Sequence, residues 1–431
     1  MNQADTAWML VATALVVLMT PALAFFYGGL VRSKNALNTM MMSFVALGGV
    51  GLVWALVAYS LAFAPGTPVI GGLTYALLAE VGLEAKGTIP HVLFFCYQGT
   101  FAIITAALIS GAIVERMRFG PYVLFLMSWT VVVYAPIAHW VWGNGFLASD
   151  SIRALDFAGG TVVHVNAGMA ALVAASTLGP RKDFARQAFL PHNVPFTLLG
   201  AGLLWFGWFG FNAGSALGAS PSAALAFTTT MLAPAATLMV WTVLDLMRTG
   251  RVTAVGCATG IVVGLVAITP AAGYVSPMGA IVLGAIAAFP SYYALLFRAR
   301  TRLDDSLDVV AAHGLGGATG ALLTGVFADK TWNGVTDGLL NGNPGQVGVQ
   351  ALAIVVVMAY SGLATFLLLK IIGAVLPLRA DASDEGLGMD VSQHGEEAYS
   401  DGEGAVLILP ERIGKSTSTS PGSPVARGGT S

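Results

Sequence analysis

Runs of about twenty apolar residues, nearly free of charge, follow one another through the first 378 positions of this chain. A helix of that length rises about 30 Å, the hydrocarbon thickness of a bilayer. Inside hydrocarbon every backbone N–H and C=O must be satisfied within the protein, so only helices and closed barrels can span it. The runs are twice too long for barrel strands, which leaves helices. Composition agrees. Of 431 residues 56% are hydrophobic and 10% are charged, where a soluble domain carries about 25% charged residues. The 53 glycines suit helices whose backbones approach closely. A net charge of −2 carries no basic surplus and excludes a nucleic-acid partner.

The runs centre near positions 18, 50, 101, 128, 167, 202, 233, 261, 285, 317 and 361, which predicts eleven transmembrane helices. Lys and Arg collect in alternate loops: Arg32 and Lys34, Arg116 and Arg118, Arg181, Lys182 and Arg186, Arg248 and Arg251, then Arg298, Arg300 and Arg302. The other loops hold only Lys86, Arg153 and Lys330. Such a bias puts the basic loops and the C-terminus in the cytoplasm and the N-terminus outside. The opening "MNQADTAW" has no positive charge, so the first run reads as a retained helix rather than a secretion signal. The expected fold is an all-α polytopic membrane protein, with two inverted five-helix repeats plus a final helix. Residues 1–378 form the transmembrane domain, 379–412 an acidic cytoplasmic tail, and 413–431 a Ser/Thr/Gly/Pro-rich extension expected to be disordered.

Two histidines interrupt the apolar pattern at depth. His164 lies eight residues past Asp156 in "DFAGGTVVHVNAG", about 12 Å along a helix. His313 lies five residues past Asp308 in "DVVAAHGLGG". One approaches the membrane centre from each side, and ionisable groups at such depth usually face a cavity or a substrate path. His91, His139, His192 and His394 read as interfacial or solvated, and Cys96 and Cys257 as small buried hydrophobes without a disulfide. Asp156 has two readings, a cation-binding carboxylate or a cap for its helix. Two histidines without a third ligand make a poor metal site. No nucleotide loop or nucleophile triad stands in the chain, so neither a cofactor nor enzymatic chemistry is expected.

"DFAGGTVVHVNAG", "FYGGLVRSKN" at 26–35, "YQGTFAIITAALISGAIVERMRF" at 97–119, "GWFGFNAGSA" at 207–216, "HGLGG" at 313–317 and "DEGLGMDVSQHGEEAY" at 384–399 together resemble the ammonium transporter (Amt/Mep/Rh) family, its bacterial Amt branch most of all. The likeness runs in order from about residue 5 to about residue 400. One stretch departs from the pattern: "WGNGFLASDSIRALDF" is about two residues long, which puts the outer loop beside Trp142 in doubt. "GWFGFNAGSA" taken alone reads equally well as a tight helix crossing.

The resemblance implies a homotrimer of eleven-helix subunits in the cell membrane, each with its own pore for ammonium uptake. It implies recruitment of the ion at Trp142 and Ser215, a gate of Phe101 and Phe211, Tyr97 at the vestibule, paired pore histidines His164 and His313, and Asp156 as the signature aspartate. Trp140 competes with Trp142 for the outer position. The implied partners are ammonium or ammonia, with methylammonium as an analogue, the lipid bilayer, and a PII-type signalling protein on the cytoplasmic face. The tail is implied to be regulatory and to pack under a neighbouring subunit. An ammonium sensor on the same core and an electroneutral gas channel are the alternatives.

Overall fold

A computed structural model of the chain describes residues 1–399. The terminal extension expected at 413–431, and the tail beyond 399, lie outside the described residues. Among the described residues, ten helices are long and apolar enough to cross a membrane. In chain order they are α1 (Gln3–Leu30), α2 (Ser33–Phe63), α3 (His91–Ala112), α4 (Phe119–Ala148), α5 (Gly160–Leu178), α6 (Val194–Gly214) and α7 (Pro221–Thr249). After α8 (Ala254–Ile268), apolar but shorter, come α9 (Pro277–Arg298), α10 (Val310–Phe327) and α11 (Gly345–Val375). The sequence counted α8 as an equal span. Its helix stops after 15 residues, and the buried turn that follows fills the rest of the apolar run.

Helix ends follow local chemistry. Asn193, Ser220, Thr253 and Ser276 cap α6 to α9, each side chain accepting a backbone N–H of the first turn. Three of these caps are followed by proline at the first or second helical position, where its missing N–H is harmless.

Packing relies on glycine where helices cross. A Cβ on Gly207 or Gly210 of α6 would run into Leu15, Met19 or Ala12 of α1. The "GWFGFNAGSA" glycines therefore do make a tight crossing, and the same turn of α6 delivers Phe211 and Ser215 to the interior.

Several expectations are corrected. The 64–90 loop contains a small antiparallel ladder, β1 (Ala85–Lys86) against β2 (Ile89–Pro90), within an otherwise helical fold. His139 is buried, its ring nitrogens 3.0 and 2.8 Å from the carbonyl oxygens of Ala62 and Thr67. His91 is buried too, between the Tyr59 hydroxyl at 2.6 Å and Glu84 at 3.1 Å. Both were read as wet because they stand near helix ends, but the 64–90 loop folds back over them. Cys96 is exposed on the outer surface of α3 rather than buried.

The described part of the tail forms α12 (Ala382–Leu387) and α13 (Met389–His394) and docks on its own chain. The Asp390 carboxylate accepts N–H bonds from Leu37 and Asn38 at 3.0 and 2.7 Å, at the positive end of α2's helical dipole. Glu385 binds Arg379 and the Lys182 N–H at 2.6 and 2.8 Å. His394 reaches Asn38 at 3.0 Å and is only partly exposed, not solvated.

Candidate functional site

Helices α5 and α10 open alike. Each begins with a π-helical turn, Gly160–Val165 and Val310–Leu315, that carries its histidine. A carboxylate precedes each turn. Asp156 accepts the N–H groups of Gly159, Gly160, Thr161 and Val162 at 2.6–3.1 Å, with the Thr161 hydroxyl at 2.5 Å. Asp305 accepts the Val310 N–H at 2.7 Å. An anion at a helix start satisfies otherwise orphaned donors, and here it fixes the direction in which each wide turn aims its ring.

The two helices then cross glycine on glycine. Four residues past each histidine stands a glycine, Gly168 and Gly317. A Cβ on Gly168 would run into the Gly314 backbone, and one on Gly317 would come within 2.8 Å of the His164 Cβ. This approach brings the Nδ1 atoms of His164 and His313 to 3.2 Å, both rings buried. One Nδ1 must donate and the other accept, so the two neutral rings hold opposite tautomers. The His164 Nε2 is buried with no hydrogen-bond partner in the protein.

Above the pair the walls are aromatic. Phe211 lies 6.1 Å from the His164 ring and stacks on Phe101 with centroids 4.2 Å apart. Trp142 stands edge-on to Phe101 at 5.8 Å and is half-buried, its indole N–H donated to the Asp156 carbonyl at 2.9 Å. Trp140, its competitor, is buried and donates to the Val69 carbonyl in the 64–90 loop. The Ser215 hydroxyl donates to the Phe211 carbonyl at 2.9 Å, leaving lone pairs free to accept. Tyr97 is fully buried rather than open at the mouth. Its Oη lies 3.0, 2.9 and 3.3 Å from Gly210 O, Phe211 O and Ser215 Oγ, so it positions the Phe211–Ser215 turn.

Between the phenylalanines and His313 lies a narrow lumen lined by Leu23, Ile104, Leu108, Val163, Leu204 and Trp208. Its volume, about 10 Å³, is the least that admits a water-sized molecule. Beyond His313 it widens into a vestibule of about 520 Å³ with Arg32, Glu115, Arg181, Arg298 and Asp308 in its wall. Buried Glu115 pairs with Arg181 at 2.7 Å and Arg32 at 3.1 Å, and Arg181 grips Asp304 through two nitrogens at 2.8–2.9 Å. Burial works to raise both carboxyls, but Arg181, aided by Arg32 at Glu115 and by Arg116 at Asp304, outweighs it and holds them below the usual carboxylate range.

The sequence profile of the Ammonium Transporter Family matches residues 7–399. The chain belongs to that family. An ammonium transporter of Aquifex aeolicus is 50% identical over 93% of this chain and 94% of its own length. One of Bacillus subtilis is 45% identical over 93% of this chain and all of its own. Among solved structures, Mep2 of Candida albicans superposes with a TM-score of 0.84 at 37% identity, covering 92% of this chain and 90% of its own. A structure titled a sensor Amt protein reaches 0.84 at 30% identity, covering 91% and 98%.

In this family member Trp142, Phe101, Phe211, His164 and His313, all singled out in the sequence, stand in successive contact, with Ser215 held on the Phe211 turn. Sequence reasoning missed four contributors. Trp208 stacks on His164 at 5.5 Å and anchors its N–H on Thr269 at 2.8 Å. Gly168 and Gly317 were visible as a shared histidine-plus-four spacing. Asp305 stood in the sequence beside Asp308, which drew the attention instead.

Proposed function

We propose that the chain is an ammonium transporter of the cell membrane, working as a homotrimer of eleven-span subunits built from two inverted five-helix repeats and a final helix. Each subunit has its own pore, with the N-terminus outside and the docked tail in the cytoplasm. The observation that carries this reading is the His164–His313 contact at the floor of an apolar lumen closed above by two stacked phenylalanines.

Ammonium and potassium share charge and similar size, but only ammonium donates hydrogen bonds and gives up a proton. The Trp142 and Phe101 faces attract a cation, by about 0.5–2 kcal/mol, and the Ser215 oxygen accepts one N–H. Past Phe211 a bare cation loses its hydration without replacement, which is heavily penalised. Losing a proton removes most of that penalty. The histidine pair then offers a donor or an acceptor at the unpartnered His164 Nε2, so ammonia, with or without the relayed proton, crosses where potassium cannot. Asp156 acts through structure, aiming His164 and fixing Trp142 through its own carbonyl. The vestibule is where a PII-type protein would dock.

The test is solid-supported-membrane electrophysiology on protein in liposomes, with an ammonium jump and potassium as control. A current that scales with protein density supports transport with net charge. A luminal pH rise without current supports the gas-channel variant. No ammonium response of either kind removes the transport reading.

A further inference from the structure

A second cavity, of about 460 Å³, lies on the far side of the histidine helices from the pore. It is a groove between α5, α9 and α10, with Met358 of α11 at its edge. Its floor is Gly168 and Gly314, the pair whose contact sets the histidine spacing. Met169, Leu172, Leu315 and Ala318 make its walls, and its only charged or hydroxyl-bearing lining residues, Arg298 and Thr301, come from the 298–303 end. Phe297, also in the wall, is 70% exposed, and Leu315 and Met358 are each 38% exposed. The groove thus opens sideways, at the level of membrane-spanning helices, where the surroundings are hydrocarbon.

The charge at its end decides the occupant. Arg298 is committed to Asp308 at 2.5 Å. Arg300 and Arg302 stand exposed on the same turn, and among the described residues neither has an ion-pair partner. The lining of this apolar slot ends at Arg298, Thr301 and Leu303, with Arg300 and Arg302 exposed between them, an arrangement that matches an acyl chain topped by a phosphate.

We propose that this groove is a binding site for an anionic phospholipid of the leaflet on the arginine side, one acyl chain lying against Gly168 and Gly314 and the headgroup held by Arg300 and Arg302. The groove shares Arg298 and Thr301 with the vestibule wall but none of the lumen residues above His313, and its test does not depend on what the pore conducts.

The experiment labels the purified full-length protein with phosphatidylglycerol or phosphatidylcholine carrying the same photoactivatable acyl chain, and maps the adducts by peptide mass spectrometry. The expected result is phosphatidylglycerol labelling concentrated at Met169–Leu172, Leu315 and Met358, well above that by phosphatidylcholine. Arg300→Gln and Arg302→Gln should each lower phosphatidylglycerol labelling about fivefold and leave phosphatidylcholine labelling unchanged. Ala318→Phe should fill the slot and remove labelling there by both lipids. The arginine variants lie on an exposed turn and keep the test open if Ala318→Phe fails to fold. Equal labelling by the two lipids, labels spread evenly over all outer helices, or a groove shielded by a second copy of the chain would overturn the proposal.

Discussion

His164 and His313, separated by 149 positions in the chain, meet Nδ1 to Nδ1 at 3.2 Å. Each ring's tautomer therefore depends on the other. If His164 donates through Nδ1, its Nε2 faces the lumen as an acceptor; if it accepts, Nε2 becomes a donor. Replacing His164 by alanine removes this exchange and opens the narrowest part of the lumen. Ammonium transport should be lost, or its preference over potassium should fall by roughly a hundredfold or more, the scale of losing one positioned proton-transfer group. The protein should keep its elution volume and melting temperature within a few degrees. Paired ammonium and potassium jumps on H164A and on the H164A/H313A double variant measure this, and an unchanged ratio would count against the mechanism.

The glycines that permit the contact should tolerate no side chain. A methyl on Gly317 would sit 2.8 Å from the His164 Cβ and 3.0 Å from the Gly160 carbonyl, neither of which is the free end of a flexible chain. Gly317→Ala should cost about 1–3 kcal/mol by overpacking and separate the rings. A lower melting temperature together with impaired transport is expected. Full activity at wild-type stability would show that the crossing is more yielding than its geometry.

Asp156 accepts five hydrogen bonds from one turn of chain. Asp156→Ala leaves those donors buried and unpaired, each at a penalty of about 1–3 kcal/mol, and should abolish accumulation of folded protein. Asp156→Asn retains one acceptor oxygen and should fold with reduced stability. Fluorescence-detected gel filtration separates the two. If D156A folds normally but fails to transport, the carboxylate acts on the ion and not on the helix.

The Glu115–Arg181–Asp304 cluster ties together the loops after α1, α3, α5 and α9. Removing one partner of a buried pair leaves the other uncompensated, so Glu115→Gln should destabilise by about 3–5 kcal/mol. The direction with pH follows from the shift. The folded Glu115 and Asp304 carboxyls lie below their ordinary values, so their stabilisation is complete above about pH 4–5. It fades as pH falls through the folded values. Melting curves should show the gap between E115Q and wild type widest near neutrality and narrowing below about pH 4. A gap independent of pH would mean the glutamate contributes shape and not charge.

Much of the architecture was legible because its causes are local. A hydrophobic run long enough for hydrocarbon declares its own helix, and Asn193, Ser220 and Ser276 with their prolines declare where helices begin. The helical length of α8 was not legible, because an apolar run looks the same whether it stays helical or ends in a buried turn. His91 and His139 were misjudged because nearness to a helix end does not reveal the loop that covers them.

By itself the sequence determined a membrane-embedded helical chain, the order of its spans, the asymmetric placement of its basic loops, and the motifs that mark the ammonium transporter family. These rest on hydropathy, capping and residue order, properties of neighbouring residues. Only the tertiary structure decided that the two histidines touch, that the buried Tyr97 hydroxyl holds the Phe211–Ser215 turn, that the tail docks on its own chain, and that Glu115 and Asp304 turn the basic loops into a buried ionic layer. Those features depend on helix crossings and loop folding between residues far apart in the chain, where the glycines can be seen in the sequence but which helices they bring together cannot.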